Sequence, residues 1–271
     1  MGQSSSHTTI TTTTVPNNNT NLPETRVEDP GPQDAATGTA ATSPRGLALI
    51  AHGRFANKDQ RLVRGLAGYF RDERRLRVVT WDDWEAGGRG VWEDLEVWNG
   101  EVGARDYNRI LHEAMAKFAA DFPDVQDPEL FICGYSAGAI SAGCARPPPS
   151  PTITTHFSPT RYILISYPVE TNFFITLLRA GPCFRAVEAL VQGFGWENLP
   201  GEHGGREPDV AGVLTITGAD DRGRFYGVWT RILGRKNARG NLRQVVVEGV
   251  GHLWVDGMVD RAVEEVRKWL V

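Results

Sequence analysis

Short apolar runs alternate with polar and amphipathic segments from residue 46 to the end of the chain. Val, Ile and Leu dominate these runs, and Gly, Pro or Asp follows most of them, which is typical of strands buried on both faces of a sheet. The sequence predicts such strands at 46–53, 76–83, 129–133, 161–169, 210–218 and 243–250.

The segments between the runs have the spacing of helices. In 59–74, for example, Leu62, Val63, Leu66 and Phe70 share one helix face. Helices are predicted at 59–74, 101–122, 137–143, 224–233 and 259–271. Strands that alternate with helices predict an α/β fold, a doubly wound and mostly parallel sheet flanked by helices.

The first 45 residues differ from the rest, since they are rich in Thr, Ser, Asn and Pro and poor in large apolar side chains. A low-complexity segment of this kind is typical of disorder. The alternative is that two β-branched stretches within 8–28 form an edge hairpin around the turn PNNNTN. In both cases 29–44 is expected to be a linker or loop, and 46–271 is expected to be the folded domain.

Composition excludes several classes of partner. A formal charge of -4 with scattered basic residues gives no electrostatic reason to bind nucleic acid or an anionic membrane. We expect no transmembrane segment and no secretory signal, and three cysteines without metal-ligand spacing favour a reducing, cytoplasmic location. The opening MGQSSS fits a loose N-myristoylation pattern, so weak membrane association is expected only if Gly2 is acylated.

The candidate chemistry begins with GYSAG at 134–138, which follows an apolar strand and precedes a small-residue helix. In a GxSxG elbow the serine occupies a strained turn, and the glycines let strand and helix approach. Ser136 is therefore the candidate nucleophile. The neighbouring Cys133 is expected to be a buried strand residue.

Two later strand ends carry an acid and a histidine. GADD ends with Asp220 and Asp221, either of which can orient an imidazole, while the other is expected to cap a turn. His252 follows the last strand and two glycines, and we predict it to be the general base. The chain order Ser, Asp, His is the order that this type of sheet requires.

The end of the first predicted strand, LIAHG, is a candidate for part of an oxyanion hole. A loop here supplies a backbone amide to an oxyanion hole, together with the amide that follows the nucleophile. The predicted donors are the amides of Ala137 and of Arg54 or Phe55. His52 is expected to be a loop histidine rather than a base.

With HG, GYSAG, GADD, GVGH, ILISYPV and WNGEVGARDY, residues 46–271 resemble the α/β-hydrolase superfamily, most of all its small dienelactone-hydrolase-like branch without a large cap domain. The family's acid lies three residues after the glycine of its GxxD pattern, so the resemblance selects Asp221. Relatives have one or two antiparallel strands before the first parallel one, which favours the hairpin at 8–28. The segment DDWEAGGRG departs from the family's Arg-Gly-x-Gly loop.

The resemblance implies a serine esterase with a Ser136–His252–Asp221 triad, a small ester-like substrate, and no cofactor or metal. A thioesterase, peptidase or lactonase of the same fold is an alternative. So is a protein of this fold that binds a ligand or partner without catalysis, because fold alone does not imply activity. The segment 170–205 exceeds a simple crossover and is a candidate for a small lid.

Overall fold

The computed structural model describes residues 25–31, 43–53, 58–82, 100–148, 156–169, 180–192, 210–222, 226–237, 240–255 and 257–271. These residues form a seven-stranded sheet in the order β1-β3-β2-β4-β5-β6-β7. The edge strand β1 runs antiparallel to β3, and the other neighbouring pairs are parallel. The strands are β1 (Thr25–Glu28), β2 (Gly46–Ala51), β3 (Arg77–Trp81), β4 (Glu129–Tyr135), β5 (Thr160–Ile165), β6 (Val210–Gly218) and β7 (Leu242–Val247).

Helices cover both faces of this sheet. The described helices are α1 (Arg61–Gly68, continued by a π-helical turn at Tyr69–Glu73), α2 (Gly100–Asp121), α3 (Ala137–Cys144), α4 (Ala180–Gln192), α5 (Tyr226–Lys236) and α6 (Met258–Trp269). Alternate residues of β2 belong to different apolar clusters. Leu47 and Leu49 pack with α2 to α5, whereas Ala48 and Ile50 pack with α1 and α6. The sheet is therefore doubly wound, with an apolar core on each face.

The predicted α/β fold with a mostly parallel sheet is confirmed. The observed strand and helix limits differ from the predicted ones by a few residues, which is ordinary for elements located from sequence patterns. The sequence pattern alone did not predict α4, which lies within the candidate lid segment 170–205.

The N-terminal region contributes to the sheet before residue 46. Residues 25–28 of the predicted hairpin form β1, which pairs with β3 from Thr25 opposite Trp81 to Glu28 opposite Val78. The other predicted hairpin strand, 8–15, lies outside the described residues, as do Gly2 and most of the predicted linker. Within the part of the chain that is described, no helix is long and apolar enough to span a membrane.

The parallel strands all point their carboxyl ends to one edge of the sheet. Ligands and reactive groups of such sheets gather at that edge, because the loops leaving the strands meet there. Here β2 ends before His52, β4 before Ser136, β6 before the turn with Asp221, and β7 shortly before His252.

Candidate active site

Ser136 occupies the corner between β4 and α3. Its φ of 55° and ψ of −121° lie in a region that L-residues rarely adopt. Such a conformation costs on the order of 1–3 kcal/mol and persists only where the surroundings enforce it. Here the Ser136 amide donates to the Ile165 carbonyl at 2.9 Å, and the Ser136 carbonyl accepts from the Ala139 amide at 2.9 Å. The strand on one side and the helix on the other thus fix the turn.

The two glycines of GYSAG are required by close packing of backbone on backbone. A Cβ on Gly134 would lie 2.1 Å from the Gly138 carbonyl oxygen, and a Cβ on Gly138 would lie 2.4 Å from the His52 carbonyl oxygen. Neither position has room for a side chain. The sequence prediction of a tight strand-to-helix corner is therefore matched by the local geometry of the corner.

Three side chains from separate strand ends form a continuous line of hydrogen bonds. Ser136 Oγ lies 2.8 Å from His252 Nε2, and His252 Nδ1 lies 3.0 Å from each Asp221 carboxylate oxygen. A carboxylate oxygen only accepts, so Nδ1 carries the hydrogen and Nε2 is left to accept the serine proton. This arrangement can remove a proton from the serine hydroxyl and stabilise the imidazolium that forms.

The structure distinguishes the two neighbouring aspartates. Asp221 points its carboxylate at His252, and its side chain is 18% exposed. Asp220 is exposed, and its backbone amide donates to the Val250 carbonyl at 3.0 Å. Asp220 therefore joins the turn after β6 to the loop after β7 through its backbone, while Asp221 makes the contact with the imidazole.

The imidazole of the site is partly exposed. The His252 side chain is 40% exposed, whereas the Asp221 side chain is 18% exposed. Ala137 is the first residue of α3, and the amides of a first helical turn have no acceptor within the helix. That amide is free to meet a negative oxygen next to Ser136.

The loop after β2 contacts the serine from the other side. A Cβ on Gly53 would lie 2.9 Å from the Ser136 Cβ. His52 is buried, with Nδ1 2.6 Å from the Gly53 carbonyl oxygen, so the ring contacts the loop backbone as predicted for a loop histidine. Arg54 and Phe55, the predicted second oxyanion donors, lie outside the described residues.

Sequence patterns did not indicate two contacts that hold the histidine loop. The Tyr135 hydroxyl donates to the His252 carbonyl at 2.8 Å, and Trp254 Nε1 donates to Ser166 Oγ at 3.0 Å. Tyr135 stands at a variable position of the GxSxG pattern. Ser166 follows β5 and has a φ of 48°, a backbone strain that the sequence does not reveal.

Cys133 lies close to Ser136 in sequence but is chemically different. Its side chain is fully buried in the core between the sheet and α1, and burial raises the pKa of the thiol well above its ordinary value. Cys133 is therefore a buried strand residue that packs in the core, as predicted. Within the described residues, no three His, Cys, Asp or Glu side chains are grouped to hold a metal.

Comparisons with known proteins match this architecture, although no protein-family model and no curated protein matches the chain. An alpha-beta serine hydrolase homologue from Coxiella burnetii is 15% identical over 91% of both chains, with a TM-score of 0.53. A dienelactone hydrolase from Anabaena variabilis is 13% identical over 91% of this chain and 90% of that one, with a TM-score of 0.52. A serine hydrolase without lid from Xanthomonas campestris is 16% identical over 91% and 88%, with a TM-score of 0.50. At these identities the likeness is one of fold, and the chain has the α/β-hydrolase fold.

Proposed function

We propose that this protein is a serine hydrolase that cleaves a carboxylic ester or thioester through an acyl-enzyme. One observation carries the proposal, the unbroken hydrogen-bonded line from Ser136 Oγ through His252 to the Asp221 carboxylate. The three groups come from the ends of β4, β7 and β6, so only the folded chain assembles them. The serine hydrolases and the dienelactone hydrolase of similar fold support the same conclusion.

In the acylation step Ser136 Oγ attacks the carbonyl carbon of the ester. His252 Nε2 takes the hydroxyl proton as the oxygen–carbon bond forms, and the carbonyl oxygen becomes an oxyanion. The imidazolium then gives that proton to the departing alcohol as the bond to the leaving group breaks. Asp221 keeps the imidazole in the required tautomer and stabilises its charged form.

The oxyanion is stabilised by backbone amides. The Ala137 amide at the start of α3 is one donor, and the amide of Arg54 or Phe55 is the other. A water molecule then attacks the acyl-enzyme with His252 as base, which releases the acid and restores the Ser136 hydroxyl. No step requires a cofactor or a metal.

A cytoplasmic location is part of the proposal, because an odd number of cysteines without metal-ligand spacing suits a reducing compartment. The substrate is a small molecule rather than nucleic acid. N-myristoylation at Gly2, and the weak membrane association it would give, stays a prediction from the sequence.

The first experiment is labelling with a fluorophosphonate, which reacts with activated serines. Wild type should be labelled, Ser136→Ala should not, and Ser141→Ala should label like wild type. Ser141 is the matched control because it lies on α3, the same helix that Ser136 precedes. An unlabelled wild type would favour the non-catalytic alternative, a protein of this fold that binds a ligand or partner.

The second experiment separates the enzymes of this fold. Rates are measured with p-nitrophenyl esters of increasing acyl length, with an acyl thioester, with a lactone and with a peptide anilide. We expect the ester or thioester to give the highest kcat/KM. A peptide or lactone preference would retain Ser136 as nucleophile and change the substrate class.

A further inference from the structure

Tyr135 precedes Ser136 in the chain and contacts the histidine loop through its hydroxyl. We propose that Tyr135 is a positioning residue that keeps His252 within hydrogen-bond distance of Ser136. The inference rests on the proposed function, because it concerns the alignment of the nucleophile with its base. Residues 135 and 252 are 117 positions apart, so their contact depends on the folded sheet.

The geometry forms a small closed ring of contacts. Tyr135 and Ser136 are joined covalently. The hydroxyl of Tyr135 binds the main chain of His252 at 2.8 Å, and the Oγ of Ser136 binds its side chain at 2.8 Å. Backbone and imidazole of the same histidine are thus tied to two adjacent residues at the end of β4. A histidine held at both ends has little freedom to move its Nε2 away from the serine.

Tyr135 is buried beside the imidazole of His252, and its hydroxyl is a hydrogen-bond donor. Tyr135 is 3% exposed, and a ring centroid distance of 5.7 Å places its ring beside the imidazole. Burial, with a smaller effect from Asp221, raises the pKa of Tyr135 to about 12, so the hydroxyl remains protonated and able to donate at neutral pH. The carbonyl of His252 only accepts, and a phenylalanine would leave it without this donor.

A second contact holds the same loop independently. Trp254 Nε1 donates to Ser166 Oγ, and the Ser166 amide donates to the Ile216 carbonyl at 2.8 Å. The loop therefore keeps one attachment to the end of β5 when the tyrosine hydroxyl is removed. The expected consequence is a change in alignment at His252 rather than loss of the fold.

The test is Tyr135→Phe, which keeps the ring and removes only the donor. Proton transfer needs heavy atoms about 2.6–3.2 Å apart, and small displacements are costly. We expect kcat and the fluorophosphonate labelling rate to fall about 10- to 100-fold. We expect KM to change little, because the hydroxyl does not contact the substrate.

Tyr162→Phe is the matched control. Tyr162 is also buried, and its hydroxyl also donates to a main-chain carbonyl, that of Ala145 at 3.0 Å. Tyr162→Phe should lower the melting temperature at least as much as Tyr135→Phe, because the Tyr162 hydroxyl also interacts with the buried Arg146 guanidinium, and it should leave kcat unchanged. Replacing Tyr135 with 4-aminophenylalanine, which keeps a donor at the same ring position, should restore most of the activity.

Three results would overturn the proposal: wild-type kinetics for Tyr135→Phe, equal losses of kcat in both phenylalanine variants, or no rescue by 4-aminophenylalanine. These results differ from failure of the proposed function, in which wild type itself is neither labelled nor active. If Tyr135→Phe does not fold, 4-fluorophenylalanine at position 135, which fills the space of the hydroxyl without a donor, takes its place in the comparison with the 4-aminophenylalanine protein.

Discussion

The two halves of the candidate site are built in different ways. The serine half lies at β2, β4 and β5 in the middle of the sheet, where the strands are buried on both faces. Its geometry is set by backbone packed against backbone, with no space for a Cβ on Gly134 or Gly138.

The acid–base half lies toward the edge of the described sheet. β7 is the last strand in the order, most of its residues are exposed or half-buried, and the His252 side chain is 40% exposed. Polar contacts hold this half: Asp221 to the imidazole, Tyr135 to the His252 carbonyl, and Trp254 to Ser166. A side chain added at the backbone contacts of the serine half should therefore damage the fold together with activity, whereas loss of the Asp221 carboxylate in the acid–base half should remove activity and leave the fold intact.

The largest effect is expected from Gly134→Ala. The new Cβ meets main-chain atoms of Gly138 and Ala139, which cannot move without shifting α3. Overpacking typically costs about 1–3 kcal/mol, and a Cβ 2.1 Å from a main-chain oxygen belongs at the upper end of that range or above it. We therefore expect low soluble yield, a sharply lowered melting temperature and no labelling of Ser136. Thermal unfolding and fluorophosphonate labelling measure both results.

Gly234→Ala is the control for this glycine. It lies in α5 with nothing within 4 Å of an added Cβ. Replacing a helical glycine with alanine should stabilise the protein by about 0.5–1 kcal/mol and leave labelling unchanged. A Gly134→Ala protein that melts and labels like wild type would disprove the steric account of the serine half.

Asp221→Asn should produce the next largest effect, and on activity alone. The amide lets His252 adopt the wrong tautomer, which lowers kcat by about 10⁴-fold in enzymes with this arrangement. Asp220→Asn is the matched control, since its side chain is exposed and its contribution is made through the backbone. Steady-state kinetics and thermal unfolding of both variants separate the effect on activity from the effect on stability. An inactive Asp220→Asn beside an active Asp221→Asn would reverse the assignment of the acid.

The sequence predicted most of the central sheet because β2 to β6 are buried on both faces, and such strands appear as plain apolar runs. The edge strand β1 is half-buried, with the mixed sequence TRVE, and the residues alone left hairpin and disorder as alternatives. Helix α4 was missed because Gly181 and Pro182 stand at its start and are typical of loops.

In the candidate site, too, the sequence indicated some residues and left others open. The positions of Ser136 and His252 after strand ends could be predicted, because glycine-rich turns after apolar runs are typical of strand ends. The residues alone left Asp220 and Asp221 as alternatives, because two neighbouring aspartates are chemically identical in the sequence. Only the fold determines which carboxylate faces His252. Tyr135 could not be predicted as a partner of His252, since their hydrogen bond forms only where β4 and the loop after β7 approach each other.

Cys133→Ala should have a smaller effect, confined to stability. The thiol is fully buried on the face of the sheet that packs on α1, and its raised pKa leaves it protonated at neutral pH. We expect a loss of about 1 kcal/mol from the small cavity and unchanged labelling of Ser136. Mass spectrometry of native wild type treated with iodoacetamide should show Cys133 unmodified. Loss of ester hydrolysis in a folded Cys133→Ala protein would instead implicate the thiol in catalysis.

The smallest effect is expected at the opposite edge of the sheet, where Arg77 at the start of β3 binds Asp121 at the end of α2 at 2.5 Å. The hydrogen bond from Arg77 lowers the pKa of Asp121 below its ordinary value of 3.8. A carboxylate with a lowered folded-state pKa stabilises the protein above its unfolded-state pKa, and this contribution is lost as the pH falls through the folded-state value. Asp121→Asn should therefore cost about 1 kcal/mol or less near neutral pH, and the difference from wild type should shrink under acid conditions.

Urea unfolding at about pH 7 and about pH 3 measures this difference, with Asp124→Asn as a control for removing an exposed carboxylate nearby. A deficit of equal size at both pH values would show that Asp121 acts through packing rather than charge. Ester hydrolysis at neutral pH should match wild type in both variants, because β1 and β3 lie on the far side of β2 from the acid–base half. A loss of kcat in Asp121→Asn at unchanged stability would mean that the β3 edge of the sheet is coupled to the candidate site. The observed contacts do not predict such coupling, because the ion pair of Asp121 and the contacts of His252 lie at different edges.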